Sequence, residues 1–448
     1  MSCSSVARQK GNKHFISAST DFAPIIRLQR YQKALSCYEN ALSSATNDRE
    51  RSSAYKNIVV VAHHIALVMI EREDIDLCFY YFKECFMHGN EDLSAAEGCM
   101  NDKWIGDVEE RMSSAFSDMF DLISLMTSTK RVPILHRFSL LPRKAENRIK
   151  ILRQLVDDLF HESVIALEGC DYRKSLNALT EIYTPLTRLE ELICERSSEH
   201  DDVLLMDFVA NMKEDVFKNR CISESMQKRM VADKMFDATI NDAEDLNLSA
   251  IWQVIDFYTE SIVLTRENDI EQEAMALSKL GVLYYKVLLQ KERAKTVLMR
   301  VIQLAQSLQP RNLAEEDWFK NASKFLAQYQ QDLQRKEERE REKARQKYLE
   351  NLKPKLVVLK KNMDEMSIQK ILVWLYTDHP PKHWNVFSVN LEDIAKAPGD
   401  SLEKLLAKAI VFYHPDKIDA DIHTMEYKVF SEEIVKYLTA KYQQIRGC

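Results

Sequence analysis

Turn formers are scarce in this sequence. Its 448 residues hold only 8 Gly and 10 Pro, well below ordinary usage, which excludes collagen-like and Gly-rich low-complexity architectures. Paired cysteines are missing too. Cys3, Cys37, Cys78, Cys85, Cys99, Cys170, Cys194, Cys221 and Cys448 include no C-x-x-C pair, so neither a zinc cluster nor a thioredoxin-like motif is predicted. An odd, scattered set reads instead as buried intracellular thiols. The longest apolar run, IVVVAHHIALVMI, is too short to cross a bilayer and carries two histidines. The N-terminus lacks the apolar core of a signal peptide. No sign of charge dominates: the net charge is -7 with acids and bases interspersed, which argues against nucleic-acid binding by the whole chain. A G-x-x-x-x-G-K-[ST] phosphate loop is absent, and no nucleophile-base set stands out. The expectation is a cytoplasmic chain with no cofactor, no metal, no nucleic-acid partner, no membrane insertion and no enzymatic activity of its own.

What is present points one way. Hydrophobic residues make up 46% and charged residues 29%, enough for real cores, and the length suggests two or three domains. Abundant Leu, Ala, Lys, Glu and Gln with few turn formers predict an all-α protein.

The first 310 residues show internal periodicity. In LGVLYYKVLLQKERAKTVLMRV, residues 280–301, Leu280, Gly281 and Tyr284 are followed by Ala294, Leu298 and Val301. Small residues at this spacing let two helices approach closely, and large ones fill the groove toward the next pair. Tyr31, Ala34, Tyr38 and Ala41 repeat the second-helix pattern after ARQKGNKHF. Ile75, Cys78, Phe82 and Cys85 repeat it again, preceded by Ala62, Ile65, Ala66 and Met69. Tyr172, Ser175, Leu179 and Ile182 follow more loosely, and Trp252 to Leu264 reads as one further helix of this kind. Residues 100–150 and 185–248 are helical by pattern but fit no repeat. The set resembles tetratricopeptide repeats, which implies a helical solenoid over residues 1–310 with a groove for an extended peptide. Some members of that family grip the acidic C-terminal tail of a heat-shock chaperone. The opening helix is similar to theirs: Arg8 and Asn12 match the leading positions. In the second repeat Asn57 matches if about seven residues are inserted, and His64 holds the place if they are not. The resemblance therefore implies a chaperone tail or a client protein as partner of the groove.

Residues 311–356 form the second segment. From Asp332 to Glu350 the chain is almost entirely Lys, Arg, Glu and Gln. Mixed signs without Gly or Pro favour a charged linker helix, polar all round and bridging through solvent, with a reach on the order of 50–60 Å at the α-helical rise.

The third segment, 357–448, holds three amphipathic stretches. SIQKILVWLY places Ile368, Ile371, Leu372 and Leu375 on one stripe. After the loop TDHPPKHWNVFSVNLEDIAKAPG, Asp400 and Glu403 suggest a capping box for SLEKLLAKAIVFY. That helix buries Leu402, Leu405, Leu406, Ala409, Ile410 and Tyr413 and turns Lys404 and Lys408 to solvent. A last helix buries Val429, Phe430, Ile434, Leu438 and Ile445. Between these two lies AIVFYHPDKI, where Pro415 stops the first helix and disfavours helical geometry at His414. The combination of a Lys-striped helix, His414-Pro415-Asp416 and a following F-x-x-x-I helix resembles the J domain of DnaJ-type co-chaperones. The loop with Lys382, Trp384 and Asn385 is most similar to the auxilin branch. One basic position of that pattern is Ala407, and neither a Gly-Phe-rich region nor a zinc-binding cysteine repeat accompanies it.

That resemblance implies a function. Lys404, Lys408 and Lys417 would steer the domain onto a heat-shock 70-kDa chaperone, Asp416 would accept from a partner arginine, and His414 with Pro415 would fix the loop. The chaperone would hydrolyse the ATP. Two alternatives stay open: a helical-repeat scaffold with a degenerate J-like tail, and an auxilin-like clathrin-uncoating factor.

Overall fold

The computed structural model describes residues 2–18, 20–196, 200–241, 247–382, 390–418 and 423–446. Among them the chain is all α-helical, and it divides into two compact units, residues 1–322 and 323–448.

The first unit is built from helices packed in consecutive pairs. α1 (Cys3–Ile16) packs on α2 (Pro24–Ser43), and α3 (Asp48–Glu71) on α4 (Ile75–Ala96). α5 (Asp102–Ser124) is followed by the short α6 (Ser128–Phe138), and α7 (Ala145–Glu168) pairs with α8 (Tyr172–Glu195). α9 (His200–Asn241) pairs with α10 (Leu248–Thr265), and α11 (Ile270–Lys286) with α12 (Lys291–Ser307). Odd-numbered helices also touch one another: α1 with α3, α3 with α5, α7 with α9 and α9 with α11. Each pair thus covers its apolar face with its neighbours, the arrangement by which stacked pairs build one continuous core.

Short-range chemistry makes the pairs. At the α3–α4 turn Glu73 takes a left-handed φ of 59° and the Asp74 amide donates back to the Met69 carbonyl at 3.0 Å. The α7–α8 turn repeats it, with Cys170 at φ 58° and the Asp171 amide on Ala166 at 2.8 Å. In both, the aspartate then caps the next helix by accepting from the third amide on. Close approach does the rest. A Cβ on Gly11 would stand 2.5 Å from the Tyr38 ring, and one on Gly281 2.4 Å from Leu298, so only glycine allows these contacts. Tyr31, Ala34, Tyr38, Ala41, Cys78, Phe82, Cys85, Leu179 and Ile182 are all buried, as their spacing predicts. Ile75 and Tyr284 are only half-buried, and Cys3, Cys170 and Cys194 are exposed instead of buried. Trp252 differs as well. It is exposed, because α10 turns Ile251, Val254, Tyr258 and Ile262 inward instead.

α3 is long and apolar enough to cross a membrane by length and composition. Its Ile58, Ala62, Ile65, Ala66 and Met69 nevertheless lie in the first unit's core.

Asp92 gives this core a pH dependence. It is fully buried on α4, accepting from Ser52 Oγ at 2.5 Å and facing Trp104 Nε1 at 3.5 Å. Burial pushes its carboxyl up to about 6, against the opposing pull of Ser52, Trp104 and Lys56. The folded chain therefore holds this proton more tightly than the unfolded chain. The group's contribution to stability is full below the unfolded value near 4 and is lost as pH rises through about 6. We predict that Asp92→Asn raises stability by about 2 kcal/mol at pH 7.5 and that the gain vanishes by about pH 3. Denaturant titrations at both pH values check it; a gain that persists unchanged in acid contradicts it.

The second unit contains most of α13 (Asp317–Glu365), then α14 (Ile368–Asp378), α15 (Leu391–Ala395), α16 (Gly399–Tyr413) and α17 (Met425–Arg446). α13 is one helix and passes through Pro354. Its polar stretch ends sooner than the composition predicts. Arg345 already bonds Glu432 at 3.1 Å and Glu433 at 2.8 Å on α17, and Leu352, Leu359 and Met363 join the unit's core. The boundary expected at 356/357 therefore falls inside a packed helix, because leucines at one-turn spacing outweigh the lysines between them. The start of α16 also differs. Pro398 occupies the cap with no side-chain hydrogen bond, and Glu403 instead bonds Arg446 at 2.7 Å and Tyr442 at 3.3 Å. The expected capping box is absent because the helix already starts at Gly399, so Asp400 lies inside it and not at its cap, and Glu403 has a charge-assisted partner instead. Ile445 is exposed, two turns past Leu438, the last buried residue of α17.

Candidate functional site

The site is the corner between α16 and α17. The two helices run antiparallel: Glu403, near the start of α16, meets Tyr442 and Arg446 at the end of α17, while the corner closes the other end. α16 stops at Tyr413. His414 leaves the helix with φ -60° and ψ 129°, the extended geometry that a following proline imposes. Pro415–Lys417 then form a single 3-10 turn.

Two contacts hold the turn from within. The Asp416 amide donates to His414 Nδ1 at 3.3 Å and the Lys417 amide to the His414 carbonyl at 2.9 Å. On either side Tyr413 and Ile418 are buried while the turn between them is not. The His414 and Asp416 side chains keep 45% and 84% of their accessible surface, so both can meet a partner without unfolding. Lys404, Lys408 and Lys417 are likewise exposed, whereas Leu402, Leu406, Ala409 and Tyr413 of the same helix are buried. Of the six residues expected here, His414, Pro415, Asp416 and Lys417 form the turn itself, whereas Lys408 and Lys404 are exposed successively farther back along α16, Lys404 near its start.

Tyr413 carries a role that sequence pattern does not reveal. Its hydroxyl shares one proton between the Leu375 carbonyl at 3.1 Å and the His379 carbonyl at 2.6 Å. Leu375 lies in the last turn of α14, where its carbonyl also accepts from the His379 amide at 2.9 Å, and His379 is the residue that caps that helix. Burial pushes the phenol well above its ordinary value, so it stays a neutral donor. The residue directly before His414 is thus anchored to a third helix. His379 is itself wedged between Trp374 and Phe430, with ring centroids 5.2 and 5.0 Å away. Of the auxilin-like loop, Lys382 is described: its amide donates to the Tyr427 hydroxyl at 3.0 Å and its ammonium lies over that ring. Trp384 and Asn385 lie outside the described residues.

The second candidate region is the face of the first unit shared by α1, α3 and α5. Arg8 is half-buried, and its charge helps Ser2 and Thr46 hold the Glu50 carboxyl below its ordinary value. Asn12 is exposed but accepts from the Tyr38 hydroxyl at 2.8 Å. Asn57 is half-buried on α3. His64 settles against Phe15 and Tyr31, stacked 5.5 Å from the latter, and burial lowers it to about 4. It is a packing residue. Between α3 and α5 lies a cavity of ≈ 310 Å³ lined in part by Lys56, Asp107 and Arg111. Sequence spacing did not locate Lys56 or Arg111, since α5 matches no repeat. Lys56 is already bound to Asp107 at 3.0 Å and packed over Trp104. Among the described residues no group of His, Cys, Asp and Glu is arranged to hold a metal ion.

The sequence matches no protein-family model and no curated protein. Among solved structures, it is similar to a circular tandem repeat protein with novel repeat topology and enhanced subunit contact surfaces. The identity is 12% over 99% of this chain and 91% of that one, with a TM-score of 0.31, and such a score does not define a shared fold.

Proposed function

We propose that the second unit is a J domain and that the chain is a co-chaperone of a heat-shock 70-kDa chaperone. The observation that carries this reading is the exposed His414-Pro415-Asp416 turn, anchored by Tyr413 at the end of a helix whose outer face shows Lys404 and Lys408. In this reading the lysines steer the corner onto an acidic surface of the partner. Asp416 accepts from a partner arginine, and His414 and Pro415 keep the turn in one geometry. Docking favours the hydrolysis-competent state of the chaperone, so ATP turns over there and this chain supplies only differential binding.

The helix pairs of the first unit, read as tetratricopeptide-like repeats, hold a client or a chaperone tail. The internal engagement of Asn12 favours a client over the acidic-tail clamp, since a carboxylate would first have to displace Tyr38. Asn57 remains the candidate contact on α3.

Electrostatic steering makes a separate expectation. Replacing both lysines, Lys404→Glu with Lys408→Glu, reverses the sign of the stripe without touching the core. Association with an ATP-loaded chaperone should slow at least about tenfold at low salt, with the difference shrinking at high salt. Stopped-flow binding at two ionic strengths reads this. Equal rates for both proteins would favour the scaffold alternative, in which the J-like tail no longer engages a chaperone.

A further inference from the structure

A cavity of ≈ 560 Å³ opens in the first unit between α9, α11 and the first turn of α13. It lies apart from the corner and from the α1–α3–α5 face. Its walls combine apolar surface from Phe236, Met275, Val282 and Trp318 with the polar groups of Arg229 and Tyr258. Two donors on these walls are left without acceptors. Arg229 Nη1 and Trp318 Nε1 are both shielded from solvent and have no hydrogen-bond partner, although the Trp318 side chain is 94% buried by its 6% exposure. A buried donor left unmade costs about 1–3 kcal/mol, more when charged, so native structures leave few such groups without a reason.

The neighbouring carboxylates do not supply what is missing. Asp233 accepts from the Tyr258 hydroxyl at 2.5 Å and lies 3.4 Å from Lys279. Glu316 is held by Arg311 and Glu315 by Lys320. Arg229 is left as a mostly buried cation that none of these pairs includes, and burial lowers its proton affinity against the attraction of Asp233 and Asp269. Both side chains line the cavity, and their N–H groups, closed to solvent in this packing, have to turn toward it to meet an entering acceptor.

We propose that this cavity binds a monoanionic carboxylate with an apolar tail, its oxygens taken by Arg229 and Trp318 and its tail by Phe236, Met275 and Val282. The acids around the rim, Asp237, Glu315, Glu316 and Asp317, select against ligands of higher negative charge. A hydrophobic residue at a free peptide C-terminus has this chemistry, and so does a short aliphatic acid. This site is independent of the corner and of the chaperone reading.

Titration calorimetry of the full chain tests it with four probes: hexanoate, hexanamide, acetyl-Ala-Ala-Leu with a free carboxylate, and the same peptide amidated. The proposal expects saturable binding of at least one carboxylate and at least tenfold weaker binding of its amide. Binding by the peptide alone identifies a partner C-terminus, and binding by both acids identifies a general carboxylate site. Arg229→Met should weaken binding at least tenfold. Should that variant fail to fold, Trp318→Phe keeps the shape, removes only the N–H, and should cost at least threefold. Absence of saturable binding by either acid at 10 mM, equal binding of acid and amide, or undiminished binding by the folded variant overturns the proposal.

Discussion

His414→Gln is expected to abolish stimulation of a heat-shock 70-kDa ATPase while leaving this chain folded. The side chain is nearly half exposed and its one described intramolecular hydrogen bond is the 3.3 Å contact from the Asp416 amide. Surface replacements of that kind shift stability within about 0.5 kcal/mol. The imidazole, however, is a rigid five-membered ring directly before Pro415, and a flexible amide cannot reproduce its shape. If the corner is what the chaperone reads, single-turnover hydrolysis should fall to the unstimulated rate, a loss of at least tenfold. Circular dichroism and the melting curve should superpose on those of the unmodified protein. Equal stimulation by both proteins would remove the corner from the mechanism.

Tyr413 should show the opposite balance, with a large structural cost and a functional one that follows from it. Tyr413→Ala deletes a fully buried ring from the core of the second unit, a change that costs about 3–5 kcal/mol in comparable sites. Against the stability typical of a single small domain, that is enough to leave the unit partly unfolded. Tyr413→Phe is the informative variant. It keeps the packing and removes only the hydroxyl that joins the end of α16 to the Leu375 and His379 carbonyls. About 1–2 kcal/mol of stability should be lost. ATPase stimulation should fall severalfold even where the unit is fully folded, because the corner is then hinged instead of anchored. Denaturant unfolding and ATPase assays below the transition separate the two effects. Full stimulation by folded Tyr413→Phe would show that the anchor has no part in presenting His414.

The legible parts of the chain were those governed by neighbours in sequence. The apolar stripes of α2, α4, α14, α16 and α17 follow directly from helical period, and Pro415 announces its own turn. Gly281 was readable as a close-approach position, and Leu298 fills the space it leaves, while the same role of Gly11 against Tyr38 was not. What pattern did not show depends on partners far along the chain. Glu403 looks like half of a capping box until Arg446 arrives from 43 residues away. Arg345 reads as one more solvated charge until α17 brings Glu432 and Glu433 to it. Asn12 matches a peptide-gripping position, yet Tyr38 already bonds its carbonyl oxygen. Tyr413 is readable as core but not as an anchor, since its acceptors are backbone carbonyls and leave no trace in residue type. Pro354 sits within α13 without ending it, a case where packing of Leu352 and Leu359 outweighs a local breaker.

Hydrogen exchange on the full chain, alone and with an ATP-loaded 70-kDa chaperone, tests the central assignment most directly. The account predicts slowed exchange over the C-terminal half of α16 and the 414–418 turn when the chaperone is added, lost in high salt and absent in the Lys404→Glu, Lys408→Glu protein. Unchanged exchange at that turn, with protection confined to the first unit, would contradict it and leave a helical-repeat scaffold in its place.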